Sequence, residues 1–110
     1  MAAVGDTDMQ TQYVAISRFL VGNAMEAEVR QAFLDRPHLV DSAPGFVKME
    51  VLCGAEDARE FLLMTWWTDE DAYRTWHRGH TYRASHQGIP TGLKLVKGSA
   101  SVSGYWSVAT

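Results

Sequence analysis

The stretch "FVKMEVLCGAEDAREFLLMTWW", residues 46–67, holds two runs of strand-forming residues on either side of a short polar loop. The first run, residues 46–54, alternates apolar and polar side chains and ends at a glycine, which is typical of a strand. The second run, residues 61–67, is apolar at nearly every position, which is typical of a strand covered on both faces. Two strands joined by so short a loop predict an antiparallel hairpin.

A strand and a helix precede this hairpin. Residues 12–21, "QYVAISRFLV", are rich in β-branched and aromatic side chains and predict the strand. Asn23 is a good N-cap, and Glu26 stands at capping-box spacing, so we expect the helix to begin there and to end before Pro37. One apolar face of this helix carries Met25, Val29, Ala32 and Phe33.

A second helix and a last strand follow the hairpin. Thr68 is the expected N-cap, with Asp71 at the third position of the helix. A loop rich in glycine leads to residues 99–108, which alternate again and predict a strand. The face of the second helix that we expect to be apolar carries Ala72, Tyr73, Trp76 and His80.

The order β-α-β-β-α-β predicts an α+β fold, a ferredoxin-like sandwich with four strands and two helices on one face of the sheet. We expect a single domain over residues 12–110, and residues 1–11 to be disordered or added during cloning. The free face of the sheet must be covered. Because Phe61, Met64 and either Trp66 or Trp67 are too apolar to face water, we expect a homodimer packed sheet to sheet.

Composition excludes several classes of protein. The net charge of the 110 residues is −3 with both signs interspersed, which argues against binding to nucleic acid. No apolar run is long enough to span a membrane, and no stretch has the order of charged, apolar and small residues that is typical of a signal peptide. The single cysteine, Cys53, makes no internal disulfide and is expected to pack as a small apolar residue. We therefore expect an intracellular protein of the cytoplasm or an organelle interior.

Residues 75–90, "TWHRGHTYRASHQGIP", hold three of the four histidines. In a continuous helix Trp76 and His86 would lie about 15 Å apart along the axis and about 80° apart around it. A break at Gly79 would let His86 turn back over a pocket beneath Trp76. A neutral imidazole suits iron, and apolar walls would come from Phe33, Trp76 and the sheet.

The same residues allow plainer interpretations. His86 is compatible with a surface position, and Trp76 with an ordinary core position. His77 and His80 are spaced to share a zinc ion, but no third ligand stands at a convincing distance. Ser17 has no histidine–acid pair nearby, which gives little support to a nucleophile. The arginines that could meet carboxylates of an acidic ligand are Arg74, Arg78 and Arg83.

Four segments together resemble the antibiotic-biosynthesis-monooxygenase (ABM) superfamily, and within it the IsdG-type heme-degrading monooxygenases. They are "VAISRF" at 14–19, "RPHLVDSAPGF" at 36–46, "TWWTDEDAYRTW" at 65–76 and "ASH" at 84–86. The likeness covers roughly residues 13 to 87. It implies a dimer of ferredoxin-like units whose sheets form a joint barrel, with heme bound between the sheet and the helices of each subunit.

The resemblance also assigns roles to residues. It places the family's tryptophan at Trp76 and its axial heme ligand, the metal ligand, at His86. The catalytic asparagine of the first strand falls on Ser17, which is a departure. A hydroxyl is shorter than an amide and has one donor, so heme binding should survive this change better than turnover does. Phe33 and Arg83 complete the expected cofactor-binding set.

Heme is then both cofactor and substrate. The implied reaction uses O2 and an external electron donor, such as a reductase or ascorbate, to open the porphyrin ring and release iron. Two alternatives stay open. One is a cofactor-independent ABM monooxygenase that oxidises an aromatic, polyketide-like substrate, with Trp66, Trp67, Tyr73 and Tyr82 as candidate lining. The other is a heme-binding protein without activity, including the case in which Ser17 was engineered to trap the complex.

Overall fold

The computed structural model describes residues 11–79 and 89–110. The strands are β1 (Tyr13–Leu20), β2 (Phe46–Cys53), β3 (Glu60–Trp67) and β4 (Ser101–Trp106). The helices are α1 (Glu26–Leu34), α2 (Glu70–His77) and a short 3₁₀ helix (Leu39–Ser42). The strands form one antiparallel sheet in the order β2-β3-β1-β4. The ferredoxin-like α+β fold expected from the sequence is confirmed.

Side chains alternate between the two faces of this sheet. Ser17 lies opposite Leu63 of β3 and Val102 of β4. Directly opposed residues share a face, so all three point to the side that carries the helices. Met64 lies opposite Ile16 and Glu50, and these three point to the outer side. The register therefore decides which residues can reach a site between sheet and helices.

Two apolar clusters pack between sheet and helices. In the first, Trp67 is fully buried and donates its indole N–H to Thr65 Oγ1 at 2.8 Å. Tyr13, Ala15 and Val40 complete its buried part, and Tyr73 and Trp76 of α2 pack against it. The second is built on Phe61, Val21 and Val29, with Met25 and Phe33 against it. The apolar face expected for α1 is therefore confirmed.

Both helices begin at positions other than those expected. Helix α1 starts at Glu26 with Met25 at the N-cap, and no side chain caps it. Asn23 instead donates its side-chain N–H to the Gly92 carbonyl at 2.8 Å. Helix α2 starts one residue later than expected, because Asp69 accepts the Ala72 N–H at 2.8 Å and is its N-cap.

The turn before β2 docks on the start of α2. Gly45 has φ +83°, a left-handed conformation that glycine adopts without strain. Its carbonyl accepts the Thr68 N–H at 2.8 Å. A Cβ at this position would lie 2.5 Å from the Ala72 Cβ, so the close approach of turn and helix also requires glycine.

The two faces of β3 differ from the expectation. Phe61 and Trp67, which we expected to need a partner, are buried on the helix side by this chain itself. The outer face carries Met64 as expected, Trp66 of the two tryptophans, and in addition Leu62, and all three are partly exposed. The homodimer stays a prediction, and Phe61 and Trp67 no longer argue for it.

Strand β4 is shorter than the predicted 99–108. Ser99 precedes it, and its buried hydroxyl accepts the Leu20 N–H at 3.1 Å, which joins the loop to β1. Among residues 11–79 and 89–110, no helix is long and apolar enough to cross a membrane.

Candidate functional site

A cavity of about 510 Å³ lies between the helix side of the sheet and the helices. Its floor is made by β1 and β3, and its walls by α1, by residues 35–40, by α2 and by residues 89–95. This size is within the range of small-molecule and cofactor sites. Most of the lining is apolar. The polar side chains that could orient a bound molecule include Ser17, Arg36, His38, Thr65 and His77.

Three of the five residues that the sequence analysis singled out meet around this cavity. Ser17 lies on the floor, Phe33 on the α1 wall and Trp76 on the α2 wall. His86 and Arg83 lie outside the described residues. Helix α2 ends at His77, and Gly79 follows its C-cap residue Arg78. The roles of all five residues stay predictions.

Ser17 places a hydroxyl among apolar neighbours on the cavity floor. Ala15, Phe19 and Leu63 line the cavity around it. The position is fixed by the pairing of β1 with β3 on one side and β4 on the other. A hydroxyl both donates and accepts, so Ser17 can orient one polar atom of a bound molecule.

The α2 wall is held by local and tertiary contacts. Asp69 caps the start of the helix, and Arg74 Nε donates to Glu70 Oε2 at 2.6 Å one turn further on. The Trp76 ring packs against the buried Trp67 ring with 5.4 Å between centroids. Trp76 is thereby fixed with one face toward the core, and its remaining surface lines the cavity.

A charged group at the edge of the cavity was missed by the sequence analysis. Arg36 donates to Asp41 Oδ1 at 3.2 Å, and His38 Nδ1 lies 3.2 Å from Asp41 Oδ2. Burial raises the pKa of Asp41, but the hydrogen bonds with Arg36 and His38 outweigh it and hold this pKa below its usual 3.8. Asp41 is therefore ionised at neutral pH, and it orients the Arg36 and His38 side chains.

This arrangement depends on an unusual backbone. His38 has φ +57°, a left-handed conformation that costs energy for a residue with a side chain. Helix α1 ends at Leu34, before Pro37, and His38 is the N-cap residue of the 3₁₀ helix that follows. The segment "RPHLVD" contains Arg36, His38 and Asp41, but nothing in their spacing indicates that the three side chains meet.

His77 also lines the cavity, with its ring centroid 5.5 Å from that of Tyr73. His80, which is spaced to share a zinc ion with His77 but lacks a convincing third ligand in the sequence, lies outside the described residues. Within the described ranges, no three His, Cys, Asp or Glu side chains are grouped as metal ligands. Trp76 separates the cavity from a second hollow of about 520 Å³ between α2 and the turn at residues 42–45.

The arrangement as a whole suits a flat, largely apolar molecule that carries acidic groups. Aromatic rings of Phe33, Tyr73 and Trp76 offer surfaces for a conjugated ring system. Arg36 and His38 stand at the edge, where they can meet carboxylates without burying a charge.

Comparison with known proteins places these features in a family. Residues 12–88 match the model of the family described as "Antibiotic biosynthesis monooxygenase". A heme oxygenase (mycobilin-producing) from Mycobacterium tuberculosis is 27% identical over 75 residues, which are 64% of this chain and 70% of that protein.

Solved structures share the fold. The heme-degrader MhuD from Mycobacterium tuberculosis, solved with two hemes bound in its active site, matches with a TM-score of 0.73 at 23% identity, over 89% of this chain and 97% of that chain. SnoaB from Streptomyces nogalater, a cofactor-independent oxygenase, matches with a TM-score of 0.64 at 20% identity, over 90% and 93% of the two chains. The fold alone is thus compatible with both chemistries.

Proposed function

Because this chain belongs to the antibiotic biosynthesis monooxygenase family, we propose that it is a heme-degrading monooxygenase. It binds heme, opens the porphyrin ring with O2 and electrons from an external donor, and releases iron. Its similarity to the mycobilin-producing heme oxygenase and to MhuD supports this choice within the family.

The observation that carries the proposal is the convergence of Ser17, Phe33 and Trp76 on one apolar cavity. These residues are distant in the sequence and come from a strand and two different helices. The family resemblance assigns Ser17 and Trp76 to the heme site, and the cavity is where such a site needs them.

The described residues fit a porphyrin. Phe33 and Trp76 present ring surfaces to a flat apolar macrocycle, and the floor around Ser17 is free of charged side chains. The two propionates of heme need hydrogen-bond donors near solvent, and the guanidinium of Arg36 and the imidazole of His38 stand at the edge of the cavity. His86 would hold the iron, and Arg83 would be a further contact for a propionate.

Bound heme would supply iron for oxygen activation and would itself be the molecule that is oxidised. The chain's own residues do the remaining work. The α2 wall orients the ring through Trp76, which is fixed from behind by Trp67. Ser17 offers one hydroxyl to the polar atom nearest the floor. The apolar lining limits the entry of water to the site.

A hemin titration of the full chain and of three single histidine variants tests the binding part. We expect the wild type to bind hemin tightly, with a shift of the Soret band. We expect His86→Ala to lose the five-coordinate histidine spectrum. His77→Ala and His38→Ala are matched controls, because both histidines line the cavity and both variants should keep that spectrum. If His77→Ala loses the spectrum and His86→Ala keeps it, the ligand assignment is wrong.

Turnover is tested on the same complex with ascorbate in air and with catalase present. A heme-degrading enzyme loses its Soret band and releases iron to a ferrous chelator. A stable spectrum through many hours would identify a heme-binding protein without this activity, and would refute the enzymatic half of the proposal.

The second candidate is a cofactor-independent monooxygenase acting on an aromatic substrate. The observation that favours it is the fold shared with SnoaB, together with the phenol of Tyr73 on the cavity wall. Absence of any Soret shift on titration with hemin, in a protein that binds polycyclic phenols, would make this candidate the better one.

A further inference from the structure

Five aromatic side chains form a continuous series from the cavity to the protein surface. The Trp76 and Trp67 ring centroids are 5.4 Å apart, and those of Trp67 and Tyr73 are 5.8 Å apart. The series continues from Tyr73 to Tyr13 at 5.7 Å and from Tyr13 to Trp106 at 5.2 Å. Each spacing is within the range of aromatic rings in direct contact.

The two ends of this aromatic series lie in different surroundings. Trp76 and Tyr73 line the cavity, and Trp67 behind them is fully buried. Trp106 is 51% exposed on the edge strand β4. The series is therefore a path through the core with one end at the site and the other in solvent.

The contact between Tyr13 and Trp106 is built into the sheet. The two residues lie opposite each other in the pairing of β1 with β4. Gly104 leaves the space that the Tyr13 ring occupies, since a Cβ at that position would overlap the Tyr13 hydroxyl. The Trp106 ring packs edge-on against the Tyr13 ring and keeps about half of its surface in solvent.

We propose that this aromatic series carries single electrons from a small reductant at Trp106 to a strong oxidant formed in the cavity. The inference rests on the proposed function, because oxygen chemistry at heme is the source of such an oxidant. Its role is protective: when the site reacts with a peroxide and no substrate bond is broken, the series discharges the oxidising equivalents before they damage the cavity lining.

One hydrogen peroxide takes up two electrons and two protons and becomes two waters. Each electron is given by the indole of Trp76. Trp67 then reduces the oxidised Trp76, and Trp106 reduces the oxidised Trp67. The phenol rings of Tyr73 and Tyr13 connect Trp67 to Trp106 and keep their protons. Oxidised Trp106 loses its N–H proton to water, and ascorbate restores it by giving one electron and one proton.

The chemistry of indole also sets a limit. An oxidised indole is itself a strong oxidant, so the series supplies electrons to peroxide-derived oxidants and not to ferric iron. Ordinary reduction of the heme by the electron donor therefore does not use this route, and variants of Trp106 should leave it unchanged.

The first test uses the heme-free full chain and a photogenerated ruthenium(III) polypyridyl oxidant that is too large for the cavity. Oxidation begins at exposed rings, and peptide mass spectrometry measures oxygen adducts at Trp76. We expect Trp106→Phe to lower these adducts several-fold. Trp66→Phe is the matched control, because Trp66 lies on the opposite face of the sheet and should leave them unchanged.

A second pair of variants separates conduction from packing. Tyr13→Phe keeps the ring and should keep the adducts at Trp76, whereas Tyr13→Leu removes the ring and should lower them. Both variants are first shown to fold by circular dichroism. Equal adducts at Trp76 in the wild type, Trp106→Phe and Tyr13→Leu would overturn the proposal, whatever the protein does with heme.

The third measurement uses the heme complex and one equivalent of hydrogen peroxide. We expect an indole radical signal in freeze-quenched electron paramagnetic resonance spectra, which ascorbate quenches rapidly in the wild type. In Trp106→Phe the radical stays on Trp67, which is fully buried, or on Trp76, and ascorbate should quench it several-fold more slowly. A hemin titration on the same samples separates the two hypotheses. If hemin does not bind, the proposed function is wrong; if hemin binds and ascorbate quenches the signal equally fast in Trp106→Phe and in the wild type, the electron path is wrong.

Discussion

At the scale of single residues, the family resemblance predicts that Ser17 stands where heme-degrading relatives carry an asparagine. Its side chain reaches the cavity floor from the centre of β1, between Leu63 and Val102 on the two neighbouring strands. A serine hydroxyl ends closer to the backbone than an asparagine amide and offers one donor where the amide offers two. The floor of the cavity is therefore deeper and less polar than an asparagine would make it.

Ser17→Asn should accelerate heme degradation, because the longer amide brings a donor closer to the reacting centre. We expect faster decay of the Soret band with ascorbate and catalase in air, and little change in hemin affinity. Ser17→Ala is the control, because it removes the hydroxyl without adding length. A Ser17→Asn protein that binds hemin normally and degrades it no faster would show that this position does not limit turnover.

The sequence was informative about residues whose direction follows from a regular period. The apolar face predicted for α1 includes Phe33, and the structure places Phe33 on the cavity wall. Ser17 was expected at the site from the family resemblance and not from any period along β1. Arg36 and His38 could not be predicted in this way. Their positions depend on the left-handed backbone of His38 and on contacts with Asp41, which no local pattern determines.

At the scale of elements, strands and helices followed from the sequence, but helix starts did not. Asn23 has good capping chemistry, yet its amide is used by the Gly92 carbonyl, a contact with a loop 69 residues away. Helix α1 consequently begins at Glu26 without a side-chain cap. A local capping rule competes here with a tertiary hydrogen bond, and the sequence alone does not show which is formed.

Gly45→Ala should destabilise the docking of the turn before β2 on α2. The new Cβ costs about 1–2 kcal/mol for the left-handed backbone and about 1–3 kcal/mol more for overlap with Ala72 and Thr68. Gly92→Ala is a matched control, because Gly92 has φ +84° and open space around its Cβ position. Urea unfolding should place the midpoint of Gly45→Ala below that of Gly92→Ala, and equal midpoints would contradict the steric part.

At the scale of the whole molecule, the strand order could be predicted because one simple topology satisfies the order of elements. The two faces of β3 could not be predicted, because an apolar run without alternation does not show which residues point to the helices and which point away. Phe61 and Trp67 belong to the core of this chain, and Leu62, Met64 and Trp66 belong to the outer face. On that face Lys48 lies over the Trp66 ring at 4.4 Å from its centroid, which covers only part of the apolar surface.

We propose that the outer face is covered by a second copy of this chain, as the joint barrel of the resembled family implies. Met64 stands near the centre of this face, between Ile16 and Glu50. Met64→Glu should give a monomer by sedimentation equilibrium, because each dimer would bury two carboxylates in an apolar interface. Leu34→Glu adds the same charge at a position that is 70% exposed on α1, and should remain a dimer. A dimeric Met64→Glu protein, or a monomeric wild type at micromolar concentration, would contradict pairing through the sheet. In the first case the copies would have to meet through another surface, and in the second the outer face would have to tolerate water.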